Sequence, residues 1–214
     1  MLYRISIFAL AAALVSAPAG AATVPAITTF QEIWSKVNDY VVTVHAHEVS
    51  GNQTQDRVYQ YWYKRPHLVK TQIISGPGAG GGGVWNGGDT VSGHQGGILS
   101  FIHLKVGIHD GRATSLRGYT IPDGILQNQV AKYTTIKGEL SERNGPVIGG
   151  QETTMVELKV APGAGEPGET RAVIYFSKAT HLPVAQIRWD GDKIVSQEFW
   201  TDLRTNVGLK DSDF

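Results

Sequence analysis

Histidine is the residue type in this chain best suited to metal or acid–base chemistry, and there are seven of them. His45 and His47 are two residues apart, and on a strand such side chains point to the same face, as two ligands of one metal do. A complete site needs further ligands, and His94, His103 and His109 supply them only if the middle of the chain folds back over that strand. Two histidines on the polar face of an edge strand are the simpler interpretation. A histidine-based metal enzyme remains an alternative.

Other catalytic signatures are weak in this sequence. Residues 78–83 have the spacing of a dinucleotide-binding fingerprint, but residues 84–88 have the pattern of a strand and turn, whereas a pyrophosphate needs a helix N-terminus there. We interpret the glycines as a hairpin loop. The sequence contains no Gly-x-Ser-x-Gly elbow, and its acidic residues lie mostly in predicted turns. The sequence therefore predicts a protein that is not an enzyme and needs no cofactor or metal.

An aromatic and basic stretch is the most informative part of the chain. Tyrosines alternate along a predicted strand that ends in Arg65, and Pro66 then interrupts the ladder. If the alternation survives the proline, one face of the sheet carries Tyr59, Tyr61, Tyr63, Arg65, Val69 and Ile73. Such a face is either ordinary core with the guanidinium reaching the edge, or the wall of a lipid cavity.

Apolar spacing places one helix before the strands. Phe30, Ile33, Trp34 and Val37 recur at helical intervals, and Thr29 to Glu32 has the spacing of a capping box. The period then changes to two along residues 40–47, which predicts a long strand.

Alternating patterns and turns predict about eight strands in all. Further strands are predicted at 57–64, 67–75, 152–160, 171–177, 183–189 and 193–203, with hairpin turns at Asn86-Gly87 and Asp190-Gly191. Residues 96–133 lack clean alternation and are predicted to form a helical or irregular cover. The fold class is mainly β (α+β), a strongly curved antiparallel sheet in a single domain over residues 23–214. Helices either fill its apolar face or lie over it as a lid and leave a cavity.

Composition excludes several classes of protein. Lys+Arg and Asp+Glu are equal at 19 each, so no basic surface for nucleic acid is indicated. The chain has no Cys, which excludes a disulfide scaffold, a thiolate zinc site and a lipid-anchored cysteine.

The first residues have the features of a cleaved signal peptide over residues 1–22. Arg4 precedes an apolar run at 5–15, and small residues follow at 19–22. The run is shorter than the roughly 20 residues of a membrane-spanning helix. We therefore expect an exported, periplasmic protein.

One motif resembles that of a known family. Residues 62–68, Trp-Tyr-Lys-Arg-Pro-His-Leu, resemble the Trp-x-Lys-Arg-Pro-x-Leu signature of LolA, the periplasmic lipoprotein carrier. Residues 85–91, 182–184 and 199–214 are similar to later segments of that family. Residues 96–101 and 117–125 instead resemble an uncharacterised exported family, the domain of unknown function numbered 1571.

The resemblance implies an incomplete antiparallel β-barrel with helices covering its open mouth and an apolar cavity for acyl chains. It implies that Arg65 holds lid carbonyls and controls closure and ligand release. The lid candidates are Ile98, Phe101, Ile102, Ile125 and Leu126.

The function predicted in this way is a soluble periplasmic carrier for a lipid or lipidated protein. Its expected partners are acyl chains, an inner-membrane donor and an outer-membrane acceptor, and the chain is expected to be a monomer. The alternative from another class is an envelope-stress sensor or interaction module of the same fold.

Overall fold

The structure is a computed structural model that describes residues 24–97 and 103–214. The predicted signal peptide and three lid candidates, Ile98, Phe101 and Ile102, lie outside the described residues. The helices are α1 (Pro25–Trp34) and α2 (Leu126–Thr135), with short 3₁₀ helices at Ile121–Gly124 and Asp211–Asp213. The strands are β1 (Asp39–Ser50), β2 (Gln53–Lys64), β3 (Leu68–Ser75), β4 (Gly82–Trp85), β5 (Thr90–His94), β6 (His103–Gly107), β7 (Gly138–Asn144), β8 (Thr153–Val160), β9 (Glu169–Ser177), β10 (Pro183–Asp190) and β11 (Lys193–Thr205).

All eleven strands form one antiparallel sheet in the order β6-β5-β4-β3-β2-β1-β11-β10-β9-β8-β7. Strands that follow one another in the chain are neighbours in the sheet, except β6 and β7, which form its two edges. The first and last strands, β1 and β11, pair with each other in the middle of the sheet. Because the two edges do not pair, the barrel is not closed. This confirms the predicted fold class of an open antiparallel half-barrel with helices. The chain crosses from one edge to the other through α2, which lies on the inner face.

Two strands were not predicted. β6 lies within the segment expected to be a helical or irregular cover, and β7 precedes the first strand predicted after it. Each is an edge strand, where only one side is paired and one face is largely exposed. A clear apolar alternation is therefore not required there, and the estimate of about eight strands was too low.

The first helix begins earlier than its capping pattern predicted. Pro25 occupies the first turn, where its missing N–H costs nothing, and Val24 precedes it without a side-chain cap. The predicted capping box at Thr29 is wrong, because that residue lies inside the helix. The helix buries Ile27, Phe30 and Trp34 against the sheet.

Both helices pack on the inner face at one end of the half-barrel. Trp34 of α1 contacts Tyr40 with ring centroids 5.3 Å apart, and Tyr40 stacks on Tyr61 at 6.1 Å. From α2, the side chains of Leu126 and Val130 are fully buried in the same cluster. This end of the sheet is therefore a filled core. Within residues 24–97 and 103–214, neither helix is long and apolar enough to cross a membrane.

Candidate functional site

A cavity of about 640 Å³ lies on the inner face, between strands β1 to β6 and the segment 111–124. Its apolar walls include Tyr59, Tyr61, Ile73, Leu104 and Val106. The volume falls within the range of roughly 300 to 1,000 Å³ that holds a drug-sized ligand. The helices thus fill one end of the sheet and leave a cavity beside it, which settles the two arrangements left open by the sequence.

Glycine creates this space in the strands. One row across the inner face runs from Tyr61 through Thr71, Gly83 and Gly93 to Leu104, each paired with the next. The two central positions have no side chain, so the row has a gap opposite the tyrosine. A Cβ on Gly83 would lie 3.0 Å from Val91 Cγ1 and 3.4 Å from Ile121 Cδ1. The glycine-rich stretch is a turn at its start and becomes β4 from Gly82 onward, so it forms cavity wall as well as loop.

We call residues 111–124, which lie over the cavity, the cover. A hydrogen bond ties this segment to the aromatic wall. The hydroxyl of Tyr61 donates a 2.8 Å hydrogen bond to the carbonyl oxygen of Ile121. Asp123 accepts from the backbone N–H and the hydroxyl of Thr120, at 2.9 and 2.7 Å, which fixes the start of the 3₁₀ turn. Burial of Tyr61 raises its pKa well above the ordinary value, so the hydroxyl remains a donor.

A second set of contacts ties the cover to the opposite half of the sheet. Glu166, between β8 and β9, accepts from Tyr119 Oη at 2.7 Å, Arg117 Nη2 at 3.2 Å and Arg188 Nη1 at 2.7 Å. Arg117 also donates to the carbonyl oxygen of Val49 at 2.9 Å. We call Glu166 with Arg117, Tyr119 and Arg188 the latch. It joins the cover to β10 and the β8–β9 connection.

Carboxylates lie at one end of the cavity. Glu48 and Glu198 line it, and the two residues are only 5% and 7% exposed. The amide groups of Gln129 and Gln186 donate to Glu198 Oε2 at 3.3 and 3.2 Å. The lining is therefore mixed: tyrosine and aliphatic side chains form part of the wall, and two carboxylates are among its polar residues.

Burial is the main cause of the unusual acidity of Glu198. It raises the pKa of this carboxyl to about 7, and the nearby negative Glu48 raises it further, while Arg188 and Lys132 act in the opposite direction. Other titratable groups that share this electrostatic environment are Tyr40, Tyr59, Tyr61 and Tyr133.

The predicted ligand-binding residues divide into two groups. Tyr59, Tyr61 and Ile73 line the cavity, whereas Tyr63 and Val69 are buried in the adjoining core. Their role in binding a ligand stays a prediction.

Arg65 lies outside the lining of the cavity, at the end of α1. Its Nε donates to the carbonyl oxygen of Val37 at 2.6 Å and its Nη2 to that of Trp34 at 2.7 Å. The carbonyls held by Arg65 thus belong to the first helix and the turn after it, and not to the segment 96–133. Of the lid candidates that the structure describes, Ile125 and Leu126 are buried in the core just beyond Gly124, which lines the cavity.

The histidines do not form one cluster, although the rings of His94 and His103 pack with their centroids 6.0 Å apart. His47 Nδ1 lies 2.8 Å from Asp56 Oδ1, His45 Nε2 lies 3.3 Å from Thr201 Oγ1, and His94 lines the cavity elsewhere. Within the described ranges, no three His, Cys, Asp or Glu side chains are grouped as metal ligands. The histidine metal site has no support in this arrangement.

Sequence reasoning missed the acidic end of the cavity. Glu48 continues the inward parity of Tyr40, Val42, Val44 and Ala46, and Glu198 has the parity of Trp200. A charged residue at an inward position of a strand was the available signal.

Comparison with solved structures defines the fold. Mycobacterium tuberculosis lipoprotein LppX is 14% identical, with a TM-score of 0.50 over 86% of this chain and 95% of that one. A DUF1329 family protein from Desulfovibrio piger is 14% identical, with a TM-score of 0.48 over 88% and 94%. A chain of the Pseudomonas aeruginosa MucA/MucB complex is 12% identical, with a TM-score of 0.46 over 89% of this chain and 60% of that one.

The likeness to LppX, together with the unclosed sheet of eleven strands, gives this chain the LolA-like open half-barrel fold. No family model matches the chain, and no curated protein sequence matches it. Membership of the family numbered 1571 therefore stays a prediction.

Proposed function

We propose that this protein is a periplasmic carrier that holds the acyl part of a lipid or lipidated protein in the inner-face cavity. The observation that carries the proposal is a cavity of about 640 Å³ with tyrosine and aliphatic walls. In this proposal an inner-membrane donor loads the protein, and an outer-membrane acceptor unloads it.

Desolvation supplies the driving force for binding. Each CH₂ group moved out of water contributes about 0.8 kcal/mol, so a chain of ordinary lipid length does not cross an aqueous space readily without a binding protein. The cavity has the size for one drug-sized ligand, which favours one acyl chain over several. Binding and release are sufficient, and the proposal includes no catalytic step.

Release requires that the cover move. The cover is joined to the sheet by the latch and by the bond from Tyr61 to Ile121, which are polar contacts at part-buried positions. Hydrogen bonds of this kind exchange with water or with ligand groups at a modest net free energy. The cover can therefore open without unfolding the core around α1 and α2.

Native mass spectrometry of protein purified without detergent from the periplasm tests the proposal. We expect a fraction of the protein to carry a bound lipid or lipidated peptide that dissociates at higher collision energy. Lipid-free protein recovered with a membrane-bound protein partner would instead favour the interaction module.

Gly83→Val is the matched variant for this measurement. Valine suits a strand, and its branched side chain would project toward Val91 and Ile121 and occupy the gap in the wall. We expect most of the bound lipid to be lost. The control is Gly107→Val on the edge strand β6, where a Cβ meets nothing within 4 Å, and this variant should keep its lipid. Equal lipid in both variants would place the lipid outside the cavity.

A further inference from the structure

The acidic side of the cavity holds two carboxylates that no basic side chain of the described residues contacts. Glu48 and Glu198 take part in none of the ion pairs formed by the described residues. Each has one oxygen that accepts: Glu48 Oε2 from the backbone N–H of Arg117 at 3.3 Å, and Glu198 Oε2 from the two glutamine amides. The Oε1 atom of each accepts no hydrogen bond from the described part of the chain.

Such groups are costly to bury. An ionised carboxylate removed from water needs donors for its remaining lone pairs, and a charged group needs a counter-charge. Neither residue is more than 7% exposed, and the oxygens that lack a partner are reached from within the cavity. Both line the same cavity, so a molecule bound there meets these unfilled acceptors directly.

The arginines that line the cavity are directed elsewhere. Arg57 Nε donates to the carbonyl oxygen of Pro77 at 2.8 Å, toward the turn before β4. Arg112 pairs with Asp110, its Nη2 2.7 Å from Oδ2, on the exposed side of the cover. Arg57 near Glu48, and Arg188 and Lys132 near Glu198, attract these carboxylates through space. None of the three cations forms an ion pair with either carboxylate, so the direct contacts are left for the ligand.

We propose that the cavity selects a single-chain amphiphile whose head group carries an ammonium, the chain lying along the tyrosine wall and the ammonium between Glu48 and Glu198. The inference rests on the proposed function, because the cavity must first hold an acyl chain. An ammonium has three donors for the two free acceptor oxygens, and its positive charge favours the ionised form of Glu198. A phosphate or sulfate head placed there would face repulsion from both carboxylates.

The test compares three head groups attached to the same dodecyl chain. Isothermal titration calorimetry below the micelle concentration measures binding of dodecylamine, dodecyl maltoside and dodecyl phosphate, with butylamine as the amine that lacks a chain. We expect dodecylamine to bind about tenfold tighter than the maltoside, and the phosphate weakest, because a charge-assisted hydrogen bond contributes about one such factor. Butylamine should bind far more weakly than dodecylamine.

Paired variants test the two carboxylates. Glu48→Gln and Glu198→Gln keep the shape of the side chain, and each should reduce the preference for dodecylamine over the maltoside several-fold, with the double variant abolishing it. Glu139→Gln on the exposed edge strand β7 removes the same charge far from the cavity and should leave the preference unchanged. Binding of the maltoside should be similar in all four variants, which also verifies that each is folded.

The outcomes separate the two proposals. Equal affinity for the three dodecyl heads in the unaltered protein, or a preference that survives the double variant, overturns the ammonium inference and leaves the carrier proposal standing. Failure of every dodecyl probe to bind overturns the carrier proposal itself. Butylamine binding as tightly as dodecylamine would show a small-cation site, and would overturn the proposed amphiphile.

Discussion

Folding disfavours the charged form of the Glu198 carboxyl group. Burial raises its pKa from 4.5 to about 7, so the folded protein binds this proton more tightly than the unfolded chain does. The stabilising contribution of the proton is fully present below pH 4.5 and is lost as pH rises to about 7. Above that pH, the buried charge costs about 3 kcal/mol of folding free energy.

Glu198→Gln should remove this dependence, because an amide has no proton to lose in the range. We expect the variant to be more stable than the unaltered protein at pH 8, by up to about 3 kcal/mol, and similar to it at pH 4.5. Urea unfolding at a series of pH values measures the difference. The exposed Glu139→Gln should keep the original profile, and an unchanged profile in Glu198→Gln would assign the dependence to another group.

Arg65 has two bonds to the end of the first helix, and its effect should be on stability. Arg65→Leu removes the donors to the carbonyls of Trp34 and Val37, and we expect a loss of about 2 kcal/mol in the free energy of unfolding. Dodecyl maltoside should bind as before, since the side chain does not line the cavity. Arg65→Lys keeps the charge but not the fork of donors and should recover only part of the loss. Normal stability with altered ligand binding would instead support the role that the LolA resemblance implies.

At the scale of elements, the latch determines how firmly the cover is held. Glu166 lies between β8 and β9 yet accepts from Tyr119 and Arg117 of the cover and from Arg188 of β10. A single side chain thus connects three segments that are distant in the sequence. Its loss should act on the cover and the segments it joins, and leave the core around the helices intact.

Glu166→Gln keeps the shape of the side chain but removes the charge that binds two guanidinium groups. We expect faster amide hydrogen exchange over residues 111–120, with exchange in β1 and β11 unchanged. Hydrogen-exchange mass spectrometry of peptides from the cover measures this. Glu152→Gln, which loses only an exposed pair with Lys178, is the control. The same exchange in both variants would mean that the other contacts of the cover, such as the bonds from Tyr61 to Ile121 and from Arg117 to Val49, are sufficient to hold it.

At the scale of the whole molecule, the two sides of the half-barrel differ in how well their inner faces are packed. Strands β1 to β3, β8, β9 and β11 contribute buried side chains to the core around the two helices, whereas β4 to β6 lie beside the cavity and end in an unpaired edge. A strand with an empty inner face loses the packing that supports its hydrogen bonds. The two halves should therefore differ in local stability, and a ligand should reduce the difference.

Without ligand, we expect β4 and β5 to exchange amide hydrogens faster than β8 and β9, although all four are paired on both sides. Saturation with dodecyl maltoside should slow β4 and β5 and leave β8 and β9 unchanged, because a ligand stabilises the state that it binds. Exchange measured with and without the ligand tests this. Slowing confined to other strands would place the binding site elsewhere.

The pattern of residues along the chain was sufficient to predict much of the fold. The inward tyrosines of β2, the two hairpins that contain the predicted turns, and the open antiparallel sheet all follow from alternation and turn chemistry. The turns themselves differ in detail, because Gly191 and Asp192 connect the paired Asp190 and Lys193, and residues 86–90 connect the paired Trp85 and Val91. The edge strands β6 and β7 did not, because a strand paired on one side and largely exposed needs no apolar face. The start of α1 was also missed, because proline in the first turn replaced the expected cap.

The sequence by itself determined that the chain forms a sheet and which residues share a face, because strand periodicity is a property of neighbouring residues. Only the tertiary structure decided that the helices leave a cavity, since that depends on how side-chain volumes from distant segments add up. It also decided that Glu166 holds the cover, that Arg65 meets α1, and that Glu48 and Glu198 face one space. These contacts join residues that are far apart in the chain, and burial at one of them raises the pKa of Glu198.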